Sequence, residues 1–173
     1  MTNNSPVTGG VLASLRSTAG KGVVRVEDRF HTDPDDLWSA LTEVERLDRW
    51  LGRLEGELRV GGKFRATFHA SGWEGTGQIE VCDRPQRLLV RTWDLEGSAE
   101  HEIEATLTAA GQQTVLVIEE RGMPLDQLAA YGAGVQIHLE DLGAYLVGSG
   151  RCEPAVRWRE LIPSFEALAT EVN

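Results

Sequence analysis

Three residues that can carry charge or exchange protons fall on what strand alternation predicts to be one face of a β-sheet: Arg91, His101 and Glu120. If the last hairpin turns through residues 109–112, His101 lies directly opposite Glu120, within about 5 Å. A buried guanidinium needs a carboxylate or an anionic ligand group. We therefore expect a polar cluster that orients a ligand carboxylate, phenol or carbonyl. The alternative is a structural ion pair, or an Arg91 that turns outward to solvent.

Two residues of the last long apolar helix are placed to extend this cluster. His138 lies between Val135 and Leu142. Its side chain either reaches the interior between sheet and helix, or lies at the flank of the helix with its hydrogen bonds already made. Tyr131, near the start of that helix, is placed to gate an entrance.

The sequence contains no motif typical of a metal site, a catalytic nucleophile or a phosphate-binding loop. No His, Cys or carboxylate spacing is typical of a metal site, and we predict neither a metal nor a cofactor. Nucleophile-elbow and phosphate-loop patterns are missing as well. If the chain is an enzyme, we expect acid–base chemistry by His101 and Glu120, with a catalytic set that the sequence leaves unknown.

Hydrophobic periodicity predicts the elements that position these residues. An alternating strand over residues 23–30 precedes two short helices: the first is capped by Asp33 and begins at Pro34, and the second restarts at a capping box of Thr42 and Glu45. Six antiparallel strands follow between residues 54 and 121, then a long apolar helix. A sheet with one dry face needs a cover, and only that helix is large enough. The pattern favours an α+β fold in which a curved antiparallel sheet wraps around a long C-terminal helix.

Strand parity predicts the side chains that line the interior between sheet and helix. Besides the polar residues, the expected ligand-contacting set is Phe64, Phe68, Trp73, Leu89, Trp93 and Ile103. The aromatic members are alternatively ordinary core residues. Gly75 and Gly77, on the same predicted face, either leave room for a cavity or mark a bend in the strand.

The chain divides into three predicted parts. Residues 1–21 are expected to be a flexible tail, residues 22–150 the folded domain, and residues 151–173 a helical extension interrupted at Pro163. The extension either packs on its own domain, forms a homodimer, or presents Trp158 and Phe165 as an exposed patch to a partner protein.

Composition excludes some classes of partner. The chain has 173 residues, with 17 Lys and Arg against 27 Asp and Glu, so its formal net charge is −10. Nonspecific binding to nucleic acid or to anionic membranes needs clustered positive charge, and neither is expected here. Since no signal peptide and no apolar stretch of membrane-spanning length is found, we expect a cytoplasmic protein.

Four stretches together resemble a known family: DPDDLWSALTEVERLDRWLG, ELRVGGKFRATF, RPQRLLVRTW and GAGVQIHLEDLGAYLVG. Over residues 22–148 the chain resembles the SRPBCC superfamily of START-like, helix-grip domains. Within it, the chain is similar to the bacterial branch homologous to the C-terminal domain of the heat-shock-protein-ninety ATPase activator. The resemblance implies an apolar cavity between sheet and C-terminal helix. It also marks Arg91 as a departure, because family members usually have an apolar residue there.

These observations lead to three functional hypotheses. The favoured one is noncatalytic binding of a hydrophobic small molecule, which requires a void of at least about 300 Å³ between sheet and helix. The second is a chaperone-associated interaction module. The third is a cyclase-like or dehydratase-like enzyme that uses the same cavity, and the superfamily hosts all these roles on one fold.

Overall fold

The computed structural model describes residues 10–172, which form one eight-stranded sheet and four α-helices. In chain order the elements are β1 Leu12–Thr18, β2 Lys21–Phe30, α1 Pro34–Thr42, α2 Val44–Trp50, β3 Gly52–Gly56, β4 Lys63–Phe68, β5 Glu74–Asp83, β6 Arg87–Asp94, β7 Glu100–Ala110, β8 Gln113–Met123, α3 Leu128–Leu146 and α4 Pro154–Ala169. No helix in this described range is long and apolar enough to cross a membrane.

The sheet is antiparallel throughout, with the strand order β1-β2-β8-β7-β6-β5-β4-β3. Strands β3 to β8 follow one another as a meander, and β2 then closes against β8. The helix pair α1 and α2 bridges β2 and β3, which lie far apart in the strand order. The first helix starts as predicted, because the Asp33 carboxylate accepts a hydrogen bond from the Asp36 amide at 2.8 Å and Pro34 follows the cap.

One face of the sheet, which we call the inner face, packs against α3. Val24 and Val26 of β2, Leu116 of β8 and Leu139 and Leu142 of α3 are all buried in one core. Alternating residues point to the opposite, outer face, which carries most of the charged side chains of the strands. The predicted α+β fold, with a curved sheet around a long helix and two short helices after a strand, is confirmed.

The predicted tail contains a strand. Residues 12–18 form β1, which pairs with β2 through a tight turn at Ala19 and Gly20, both with positive φ. Ala13 and Leu15 of β1 pack against the core. The prediction of a flexible tail is therefore wrong for this segment, whose short apolar side chains give a weak alternation signal. Residues 1–9 lie outside the described range.

Helix α4 packs on the far side of α3. Leu161 and Phe165 are each 2% exposed and form a second core with Ala133 and Ile137 of α3. Pro163 lies inside α4 without ending it. The hypothesis that this helix presents Trp158 and Phe165 as an exposed patch is wrong, since both pack within the same chain. A homodimer stays a prediction.

Candidate functional site

His101 and Glu120 form a buried pair on the inner face. Nδ1 of His101 lies 2.9 Å from Oε1 of Glu120, and the side chains are 7% and 12% exposed. The pairing is diagonal, because the residue directly across from Glu120 is Ile103. The predicted contact is present, although the predicted register is wrong: the hairpin turns at residues 111–112, so β8 is shifted by two positions and stays on the same face.

The other ring nitrogen of His101 is buried and has no partner. Nε2 has no hydrogen bond within the described residues and no contact with solvent. The imidazole also stacks edge-on against Tyr131 of α3, with ring centroids 4.8 Å apart. This contact shows that the ring points from the sheet toward the helix.

The Glu120 contact decides which ring nitrogen carries the proton. An ionised carboxylate only accepts hydrogen bonds, so Nδ1 of His101 must donate to it. Nε2 is then an acceptor in the neutral ring and a donor in the protonated ring. In either form, a buried ring nitrogen without a hydrogen-bond partner costs about 1–3 kcal/mol.

Four apolar side chains of the inner face, on the strands around His101, are only half-buried. They come from the three strands nearest His101: Leu88, Val90, Ile103 and Ile118. Helix α3 packs mainly over β2, β1 and β8, and α1 contacts β7, whereas β6 has no extensive contact with a helix. We call the inner-face region formed by these four apolar residues, bounded by Tyr131 on the helix side, the cleft.

His138 lies further along the same helix. It is seven residues beyond Tyr131, which places the two about 10.5 Å apart along the axis on nearly the same face. Its ring meets Phe68 edge-on, with centroids 5.2 Å apart, and its Nε2 is also buried without a partner in the described structure. Burial lowers the pKa of His138 to about 4, so the ring is neutral at pH 7.

The electrostatic environment of the cleft is negative. The pKa of Tyr131 is raised, first by burial and then by the negative charges of Glu120 and Asp94. Asp94 shares the inner face with His101, because its partner in β5 is Gly75 and the adjacent β6 position on that face, Thr92, is paired with His101. A phenolate at residue 131 is disfavoured, and so is any other anion nearby.

Arg91 does not belong to this site. It lies on the outer face, where its guanidinium contacts the carboxylates of Glu80, Glu100 and Glu102 at 3.1–3.3 Å. The prediction that Arg91 joins His101 is therefore wrong, and the alternative of an outward guanidinium holds.

Leu89 and Trp93 were also predicted to face the interior, and this prediction is wrong. Both lie on the outer face, because they alternate with the inner-face residues of β6. Trp93 donates from its indole nitrogen to Glu100 at 3.1 Å on the outer face. A four-residue loop causes the difference: Asp94 N donates to Ala99 O, and the Asp94 carboxylate accepts from Ser98. A three-residue turn was expected, and a shift of one residue moves every side chain of a strand to the other face.

Aromatic rings occupy the inner face beside the cleft. A side chain at Gly77 would overlap the ring of Phe64, and one at Gly75 would overlap Trp73. The two glycines therefore make room for these rings rather than for a cavity. Phe64 is a core residue, whereas Phe68 and Trp73 are half-buried and in contact, with centroids 4.9 Å apart.

A separate groove of about 620 Å³ lies at the end of β4 to β6. Its strand walls are mainly outer-face residues, among them Arg65, Thr76 and Trp93. It is thus distinct from the predicted void between sheet and helix, which stays a prediction. No group of three or more His, Cys, Asp or Glu residues within residues 10–172 is arranged to hold a metal ion.

Residues 31–147 match the family described as activator of Hsp90 ATPase homolog 1-like protein, and the chain belongs to this family. No curated protein matches the chain. Similar solved structures include CalU16 from Micromonospora echinospora, with a TM-score of 0.75 and 26% identity over 92% of this chain and 97% of that one.

Two further structures share the fold. DynU16, described as a putative protein in the dynemicin biosynthetic locus, is 25% identical, with a TM-score of 0.69 over 76% of this chain and 50% of that one. PFC0360w, an HSP90 activator from Plasmodium falciparum, is 17% identical, with a TM-score of 0.58 over 73% of this chain and 96% of that one. At that identity the likeness concerns the fold alone.

Proposed function

We propose that the chain binds an apolar small molecule in the cleft, without changing it chemically. The observation that carries the proposal is a group of half-buried apolar side chains on the inner face, among them Val90 and Ile103, beside the buried His101, whose Nε2 has no partner among the described residues. Binding sites of this kind combine apolar walls with a few placed polar groups that fix orientation. His138 of α3, whose Nε2 also has no partner among the described residues, offers a second polar group.

A similar protein supports this direction. DynU16 is described as a putative protein in the dynemicin biosynthetic locus, and a place in a biosynthetic locus is compatible with binding a small molecule. The shared fold does not identify the ligand, because function depends on the site rather than on the fold. The proposal therefore rests on the cleft residues of this chain.

Titration with Nile red, a neutral apolar dye, tests the proposal. We expect saturable fluorescence enhancement in the native chain and its loss in Ile103→Trp, because the larger ring fills the cleft. Val117→Trp is the matched control: Val117 is equally half-buried but lies on the outer face, opposite Thr106. Thermal unfolding of both variants establishes that they are folded. Non-saturable binding, or equal loss in both variants, would overturn the proposal.

A second candidate is an interaction with a chaperone of the Hsp90 type, which the description of the family supports. It predicts that the purified chain stimulates the ATPase of such a chaperone and that Ile103→Trp leaves this stimulation unchanged. Absence of stimulation with a folded, dye-binding chain would remove this candidate.

A further inference from the structure

We propose that the chain has a second binding site on the outer face, where the groove beside Trp93 binds the sugar ring of an uncharged glycoside. This groove, of about 620 Å³, runs over β4, β5 and β6, and its strand walls are mainly outer-face residues. The cleft lies on the other face of the sheet. Binding in the groove is therefore independent of the proposed function.

The shape of the groove follows from one row of register partners. Thr76 of β5 lies directly across from Arg65 of β4 on one side and from Trp93 of β6 on the other, so the three side chains share the outer face. Because neighbouring strands are about 4.8 Å apart, the backbone positions of Arg65 and Trp93 are separated by about 10 Å. The short, exposed Thr76 between two long side chains leaves a depression in the sheet surface.

Trp93 gives this depression an apolar wall. Its indole nitrogen is the only polar atom of the side chain, and it already donates to Glu100 at 3.1 Å. Glu100 is the register partner of Trp93 in β7, whereas Thr76 is its partner in β5, so this hydrogen bond lies on the side away from the depression. Leu95, which is 54% exposed, extends the apolar surface past the end of β6.

The charged residues around the groove favour a ligand without net charge. Lys63 and Arg65 supply two cations, Glu55 and Glu96 supply two carboxylates, and all four residues are exposed. The third carboxylate, that of Asp94, already accepts hydrogen bonds from its own loop. An ionic ligand would meet both signs of charge at a solvent-exposed site, where ion pairs contribute little.

A sugar ring matches both the apolar wall and the mixed charges. The C–H groups on one face of the ring pack on an indole, and tryptophan is favoured where one side of a contact is apolar and the other is wet. Each hydroxyl group both donates and accepts, so it can bond to a carboxylate and to a cation. Arg65 can adapt to such a ligand, because its ion contact with Glu74 is long, at 3.8 Å.

Indole NMR tests the proposal on the native chain. The neutral probes are the methyl glycosides of glucose, galactose, mannose and xylose, each at millimolar concentration and pH 7. We expect at least one of them to shift the indole ¹H–¹⁵N resonance of Trp93 saturably. Trp38 and Trp50, which are 3% and 4% exposed, should not shift and serve as internal controls. Methyl glucuronide, an anion, and choline, a cation, should bind more weakly than the tightest glycoside.

Two variants of β6 test the cause of binding. Trp93→Ala removes the apolar wall and should weaken glycoside binding about tenfold, measured on the ligand by saturation-transfer difference NMR. Leu89→Ala is the matched control, because Leu89 is also half-buried on the outer face of β6 but lies outside the groove lining. Ile103→Trp, which fills the cleft, should leave glycoside binding unchanged. The measurement on the native chain stands as a test even if Trp93→Ala does not fold.

Each outcome has a distinct meaning. If no glycoside shifts Trp93, or if methyl glucuronide or choline binds most tightly, the outer-face site is overturned. Equal losses in folded Trp93→Ala and Leu89→Ala would also contradict it, because binding would then not depend on the indole. A glycoside that loses affinity in Ile103→Trp binds in the cleft, which removes the outer-face site and leaves the proposed function standing. If glycosides bind as expected but Nile red does not, the proposed function fails and this site stands.

Discussion

His101 and Glu120 contact each other across β7 and β8 without being register partners: Nδ1 and Oε1 are 2.9 Å apart, while Ile103 stands directly across from Glu120. The imidazole also stacks edge-on against Tyr131 of α3, and its Nε2 is buried without a partner in the described residues. The pair therefore links β7 to β8 through one side-chain contact and leaves the other ring nitrogen unpaired in that part of the chain.

The structural role of the pair predicts a loss of stability when Glu120 is truncated. Glu120→Ala leaves Nδ1 of His101 buried without an acceptor, which should lower the free energy of unfolding by about 1–3 kcal/mol. Urea denaturation at pH 7 measures the change. Glu120→Gln should lose less, since its amide oxygen accepts from Nδ1. Equal losses would show that the hydrogen bond contributes little.

Two glycines of α3 should respond to alanine in opposite directions. Gly132 lies against the ring of Phe165, which is 2% exposed and has no room to move, so Gly132→Ala should destabilise the chain. Gly134 has open space around it, and Gly134→Ala should stabilise by up to about 1 kcal/mol through helix propensity. Thermal unfolding of the two variants measures both signs.

A double variant identifies the cause of the Gly132 effect. If α4 docks on α3 through Phe165, the destabilisation by Gly132→Ala should largely vanish in a Phe165→Leu background, where the flat ring is gone. Additive losses would mean that the clash lies elsewhere, for example with Leu15 of β1.

The outer-face ion pairs predict acid sensitivity. Burial alone would raise the pKa of Glu104 and Glu119, but hydrogen bonds from Arg121 to both, and from Arg87 and Arg16, outweigh it and lower both values. A carboxyl with a lowered pKa in the folded state stabilises above its ordinary value and loses that contribution as the pH falls through the folded pKa.

The stability of the native chain should therefore decline as the pH drops below the ordinary glutamate value of 4.5. Arg121→Gln removes the guanidinium shared by both carboxylates and should flatten this decline. Urea midpoints between pH 6 and pH 3 for both proteins make the comparison. Parallel curves would contradict the assigned cause.

His138 predicts a second pH dependence at higher pH. Burial lowers its pKa from 6.5 to about 4, so the unfolded state binds a proton between these values that the folded state does not. Stability should therefore fall as the pH decreases from about 6.5 toward 4. His138→Phe keeps an aromatic ring against Phe68 and should reduce the slope in this interval. A slope equal to that of the native chain would place the effect on other groups.

The fold could be predicted from the sequence because hydrophobic periodicity and helix capping depend only on residues close together in the chain. Asp33 and Pro34 start α1, and the meander and the long helix follow from apolar spacing. Parity within one strand depends instead on loop length. The loop after Asp94 is one residue longer than expected, which moved Arg91 and Trp93 to the outer face.

The candidate site was likewise predicted in part, where an error in loop length did not change which face a residue lies on. His101, Ile103, Glu120 and Tyr131 were placed correctly on the helix-covered side, and the two-residue error in the last hairpin preserved their parity. The inner-face residues of β6, which include Val90 and Asp94, were not predicted, because the parity expected for this strand was reversed. The Asp94-to-Ser98 spacing, typical of a side chain that caps its own loop, was the signal that predicts the longer turn.

The most direct test of the cleft follows the imidazole nitrogens by long-range ¹H–¹⁵N NMR while Nile red is added. The chain has four histidines, so each ring is resolvable, and His31 and His69 serve as internal controls away from the cleft. We predict a saturable shift of the His101 Nε2 resonance, with His31 and His69 unchanged. Saturable binding that leaves His101 Nε2 unmoved, or that shifts only His31 or His69, would contradict the account.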